Sequence, residues 1–83
     1  MSVVLTLYGR PECHLCDLAR DGILALRRAG FEFELQEVDI ESDERLLRAY
    51  LERIPVVAVD GEVVSELALD RDALRTRLDT VGT

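Results

Sequence analysis

Apolar residues along the chain fall into two kinds of run, and each kind predicts its own element. Ser2 to Tyr8 is a continuous stretch of Val, Leu, Thr and Tyr that ends at Gly9. β-Branched and aromatic residues without polar alternation suit a strand covered on both faces, which is expected at the centre of a sheet. From Leu15 the spacing changes. Leu15, Leu18, Ala19, Gly22, Ile23, Leu26 and Ala29 recur three and four apart and predict one buried helical face. Asp17, Arg20, Asp21, Arg27 and Arg28 take the other side, and Gly30 supplies the residue that ends the helix. Gly22, on the apolar side, is read either as a close approach of helix to sheet or as a glycine the helix merely tolerates.

Phe31 to Ile40 reads as a half-exposed strand in which Phe31, Phe33 and Leu35 oppose Glu32 and Glu34. The phase then slips to Val38 and Ile40, which predicts a bulge or a late start to the strand. Ser42 is expected to cap a second helix, with Asp43 and Glu44 in its first turn and Leu46, Leu47, Tyr50, Leu51 and Ile54 on its apolar side. Pro55 ends that pattern. Val56–Val59 and Glu62–Ser65 flank Asp60-Gly61, a hairpin signal because both central residues of a type I′ turn take positive φ. Asp70 caps a last helix carrying Ala73, Leu74, Leu78 and Val81, and Gly82-Thr83 is expected to fray. The order is β-α-β-α-β-β-α. It predicts an α/β fold with a mixed four-stranded sheet, a right-handed parallel crossover and helices on both faces.

With 83 residues the chain is expected to form a single domain, residues 1–83, burying about 60 to 65% of its unfolded surface. Seventeen acidic against ten basic residues give a net charge of −7, which argues against nucleic acid and anionic membranes as partners. The apolar start is too short for a secretory signal, and no stretch approaches a membrane span. The expected setting is the cytoplasm, where thiols stay reduced.

Both cysteines and the only histidine lie in Tyr8-Gly9-Arg10-Pro11-Glu12-Cys13-His14-Leu15-Cys16-Asp17. A Cys-x-x-Cys pair between a strand and a helix is a redox motif, because a sulfur at a helix N-terminus has its thiolate favoured by free N–H groups and the helix dipole. Arg10 and His14 are candidates to assist that thiolate, and Glu12 and Asp17 oppose it. His14 is equally read as an exposed residue at the helix start. Zinc needs four ligands and Cys13, His14 and Cys16 supply three at cramped spacing, so no metal is expected. Haem attachment needs histidine after the second cysteine.

The strand-to-helix Cys13-His14-Leu15-Cys16, the Tyr8-Gly9-Arg10-Pro11 run before it, and Ile54-Pro55 before a hairpin resemble the small glutaredoxin-like proteins of the thioredoxin-fold superfamily. The resemblance covers Val3 to Leu78. It implies that Cys13 is the nucleophile, Cys16 the resolving thiol and Pro55 a cis-proline facing them, with the backbone N–H and C=O of Ile54 free to pair with an extended substrate. The sequence departs from glutathione-using relatives at Ser65-Glu66-Leu67-Ala68-Leu69, where they carry Gly-Gly and an aspartate. Side chains replace bare backbone there, and Glu66 adds charge where glutathione's carboxylates would sit. Arg10 keeps one part of the anion site. The expected function is reduction of disulfides in proteins or small molecules by a monomer with no bound cofactor. Glutathione or a thioredoxin reductase is the reductant to test. The alternative is a binding module or passive redox sensor without turnover.

Overall fold

The strand Val4–Gly9 (β1) forms the spine of the computed structural model, which describes residues 3–81. It is followed by the helix His14–Arg28 (α1), strand Glu34–Asp39 (β2), helix Glu44–Tyr50 (α2), strands Val56–Val59 (β3) and Glu62–Ser65 (β4), and helix Arg71–Val81 (α3). The sheet runs β2-β1-β3-β4. β1 pairs with β2 in parallel and with β3 antiparallel, and β3 pairs antiparallel with β4. The predicted β-α-β-α-β-β-α order and mixed sheet are therefore observed. Ser2, Gly82, Thr83 and the side chain of Val81 lie outside the described residues.

Side chains alternate across the sheet, and the two faces are covered differently. Leu5, Leu7, Val57 and Val59 point to one face, where they join Ala19, Ile23 and Leu26 of α1 and Leu74 and Leu78 of α3 in the core. Each fully buried aliphatic side chain there contributes about 1.5–3 kcal/mol. On the other face Tyr8 meets Tyr50 of α2 with ring centroids 5.0 Å apart.

Local chemistry sets most of the boundaries. α1 ends in a Schellman motif: Phe31 N–H bonds to the Leu26 carbonyl at 3.2 Å and Gly30 N–H to that of Arg27 at 3.1 Å, with Gly30 at φ 111°. Asp60 and Gly61 have φ of 49° and 87°, as the hairpin requires, and Asp60 Oδ1 accepts from Val4 N–H at 2.9 Å. Asp70 Oδ1 caps α3 by accepting from Ala73 N–H at 3.0 Å.

One open alternative is resolved and three expectations are corrected. β2 pairs with β1 in unbroken register from Val4 opposite Glu34 to Gly9 opposite Asp39, so the phase slip is a late strand start and not a bulge. Leu35 and Val38 address opposite faces, both of which are partly covered, and the register irregularity falls instead between Val57 and Ala58. Ser42 does not cap α2. It lies in a single 3₁₀ turn, Ile40–Ser42, with its hydroxyl donating to the Asp39 carbonyl, and Asp43 caps the helix by accepting from Arg45 N–H at 2.8 Å. Gly22 approaches Leu69, in the segment before α3, and not the sheet. Leu15, Leu18 and Ala29 are exposed, so the buried face of α1 is narrower than its apolar pattern. No helix among the described residues is long and apolar enough to cross a membrane.

Candidate functional site

Strand β1 delivers the chain to the site, and its last residue shapes the floor. Gly9 is buried, and a Cβ built there would lie 2.9 Å from Cys16 Sγ, closer than real contacts allow. Any side chain at this position would displace the sulfur. In the sequence Gly9 marks a strand end; that a glycine closes a buried run is the signal of close approach it carries. Beyond it, Arg10-Pro11-Glu12 turns the chain, with Glu12 at φ 61°.

Cys13 is the N-cap of α1, in extended conformation with φ −105° and ψ 103°. Its carbonyl accepts the first helical bond from Asp17 N–H at 3.1 Å, and its Sγ accepts from Cys16 N–H at 3.2 Å. Cys13 is half-buried, whereas Cys16, one turn into the helix, is only 3% exposed. The two are joined by a disulfide with Cα atoms 5.2 Å apart, within the range such bonds require.

Arg10 lines a cleft of about 360 Å³ that also reaches Gly9, Cys16, Asp17, Arg20, Glu37 and Asp39. Arg20 was not anticipated there. It donates to Glu37 of β2 and, at 3.2 Å, to Asp17. The hydrogen bond to Glu37 holds the guanidinium above its usual pKa, against the opposing effect of burial. One of the two carboxylates expected to oppose a Cys13 thiolate is thus paired with a cation. His14 is the first helical residue and is exposed; among the described residues neither its ring nor the Arg10 side chain has a hydrogen-bond or ion-pair partner.

The antiparallel register that sets Tyr8 opposite Val56 carries Pro55 to the same end of the sheet as Gly9. The Ile54–Pro55 bond is cis and Pro55 is buried. The expectation of a free Ile54 N–H is corrected, because it donates to the Tyr50 carbonyl at 3.0 Å and helps close the end of α2.

The loop after β4 is held by its own hydrogen bonds. Ser65 Oγ donates to the Ala68 carbonyl at 2.7 Å and accepts from Asp70 N–H at 2.9 Å. Ala68 N–H reaches back to the Glu66 carbonyl at 2.7 Å across Leu67, whose φ is 68°. That is the rare positive-φ γ-turn, a conformation that suits glycine and is strained for leucine. The Glu66 carboxylate is not free, since it pairs with Arg53, and Leu67 N–H bonds to the Arg53 carbonyl at 2.9 Å. Thirteen residues separate the pair, so no local pattern announced it.

Comparison with known proteins places this geometry. The glutaredoxin-like domain family (DUF836) matches residues 4–79. A protein of X. campestris with a crystal structure is 40% identical with a TM-score of 0.72, covering 92% of this chain and 96% of its own. A protein of Nitrosomonas europaea solved by NMR is 29% identical with a TM-score of 0.81, covering 93% and 92%. A mutant thioredoxin from Halobacterium salinarum is 25% identical with a TM-score of 0.66, covering 95% of this chain and 74% of its own. No curated protein matches.

Proposed function

The chain belongs to the glutaredoxin-like domain family and has a thioredoxin-like fold, its Cys13–Cys16 pair supports a redox function, and from that premise we propose a thiol-disulfide oxidoreductase that reduces disulfides. In the reduced protein the Cys13 thiolate attacks one sulfur of a substrate disulfide, forming a mixed disulfide and expelling the other substrate sulfur as a thiolate. Cys16 loses its proton and attacks Cys13 Sγ, which forms the Cys13–Cys16 bond and releases the second substrate thiol. Two electrons pass to the substrate. A thiol donor, glutathione or the dithiol of a thioredoxin reductase, returns them.

The observation that carries this reading is the asymmetry of the pair: Cys13 is partly accessible at the helix start with an N–H aimed at its sulfur, and Cys16 is buried behind it. Attack needs the accessible thiolate and release needs the second thiol within reach. Arg10, His14 and the Ile54-Pro55 segment are assigned to the substrate side. The protein is proposed to act in the cytoplasm as a monomer without a bound cofactor.

Cysteine replacement tests the roles. Cys13→Ser is expected to abolish disulfide exchange, while Cys16→Ser accumulates a mixed disulfide on Cys13 visible by intact mass spectrometry. An adduct on Cys16 in the first variant, with none on Cys13 in the second, reverses the assignment; absence of turnover in the wild type with either reductant would leave a passive dithiol instead.

A further inference from the structure

Cys16 must become a thiolate to release substrate from Cys13, yet it is 3% exposed, and burial disfavours that charge. Its neighbours oppose it further. Cys16 lines the cleft together with Asp17, Glu37 and Asp39. Asp17 follows it in the chain. The parallel register sets Glu37 opposite Leu7 and Asp39 opposite Gly9, one strand spacing of about 5 Å from the glycine against which the Cys16 sulfur rests.

Arg20 is the cation held among these groups. It lies four residues after Cys16 on α1, so the two side chains share a face with Cβ atoms about 5–6 Å apart. Its Nη1 donates to Asp17 Oδ1 at 3.2 Å and its Nε to Glu37 Oε1. The bond to Glu37 raises the guanidinium's pKa, so its charge persists wherever a thiol titrates. Asp39 is met by a dipole instead, accepting from Glu41 N–H at 2.9 Å. The other charges are offset or turned elsewhere. Arg10 and Glu12 are exposed on the cleft lining with opposite sign, His14 does not line the cleft, and Arg53 on the β3 side pairs with Glu66.

We propose that Arg20 is a positioning residue for the release step, binding the Asp17 and Glu37 carboxylates so that their charge does not oppose a thiolate at Cys16; this rests on the redox reading above. In that step the Cys16 proton passes to water, its sulfur bonds to Cys13 Sγ, and the substrate sulfur leaves with the electron pair of the broken bond. Without Arg20 both carboxylates act on Cys16 unopposed. Because these side chains are partly exposed, solvent moderates the effect to about a tenfold fall in thiolate fraction at neutral pH. A more basic thiolate is a better nucleophile and recovers about threefold of this, which leaves a net slowing of about threefold.

The test mixes the reduced full-length protein with one equivalent of dithiodipyridine, an uncharged disulfide whose freed thiol absorbs. The first release reports attack by Cys13 and depends on concentration; the second reports attack by Cys16 and does not. Arg20→Ala is expected to slow the second phase about threefold at neutral pH and the first phase less. At high pH, where the thiol is ionised in both proteins, the variant should overtake the wild type. Adding Asp17→Asn and Glu37→Gln to Arg20→Ala should restore the neutral-pH rate, and Glu37→Gln alone, with Arg20 intact, should speed the second phase there. Slowing by one factor at every pH, or slowing that persists in the triple variant, overturns the inference, because Arg20 would then only tie α1 to β2. So does a second phase that Glu37→Gln leaves unchanged. A wild type that shows no second phase removes the redox reading itself and this inference with it.

Discussion

Helices α1 and α2 cover the same sheet and are built on different terms. α1 has fifteen residues, buries Cys16, Ala19, Ile23 and Leu26, and is closed by Cys13 at one end and the Schellman motif at the other. α2 has seven residues and buries none of them. Its Leu46, Leu47 and Tyr50 are half-buried, Tyr50 meets the Tyr8 ring, and Arg53 at its exit lies over Tyr50 and pairs with Glu66. The half of the site that holds sulfur is thus fixed by core packing. On the other half, Pro55 is buried immediately before β3, whereas the α2 turn that leads to Ile54 buries no residue, which places α2 lower in local stability than α1. A redox pair needs constant geometry between its sulfurs, and the packing of α1 supplies it.

The most direct way to break this contrast is to truncate one side chain on each helix. Ile23, fully buried, is expected to cost about 2–5 kcal/mol on replacement by alanine, through lost burial and an unfilled cavity. Leu47→Ala, at a half-buried site, should cost about 1 kcal/mol. Urea denaturation of both variants measures this, and equal losses would mean that α2 is as firmly packed as α1.

The α1 side is sharpened by Gly9→Ala. The new methyl has no room beside Cys16 Sγ, and backbone on a central strand does not yield as a flexible side chain would. A loss of about 1–3 kcal/mol is expected in the oxidised protein. Carrying the substitution into the Cys16→Ala background should restore much of it, since the clash is with the sulfur. A penalty undiminished in that background would show that the strain lies elsewhere.

How far each helix could be read from the sequence follows the same division. The helix start at Cys13, the Gly30 terminus and the Asp60-Gly61 turn are legible because each is set by residues within a few positions of one another. The periodicity of α1 located its core face but not its width, because Leu15 and Leu18 extend the apolar stripe beyond the area that the sheet and α3 cover. The cap of α2 was misassigned by one residue, since the 3₁₀ turn before it uses Ser42 for its own carbonyl contact. The phase of β2 misled because alternation reports one buried face and this strand has two partly covered ones. Gly9 beneath Cys16 and Arg53 beside Glu66 depend on contacts between separate elements, which no local pattern encodes.

The smallest effect belongs to the polar link on the α2 side. Arg53 and Glu66 pair with 46% and 36% of their side chains exposed, so solvent screens the charge. A double-mutant cycle with Arg53→Ala and Glu66→Ala is expected to give a coupling of about 0.2–1 kcal/mol, shrinking as salt is added. The two single variants should differ. The Arg53 guanidinium also lies 5.3 Å from the Tyr50 ring centroid, a contact worth roughly 0.5–1 kcal/mol at an exposed site, so its removal costs more than removal of Glu66. Hydrogen exchange supplies the structural readout, because the Leu67 N–H bonded to the Arg53 carbonyl should exchange faster in both variants as the loop loosens. A salt-insensitive coupling above about 2 kcal/mol would instead describe a desolvated pair, and the α2 side would then be held as rigidly as α1.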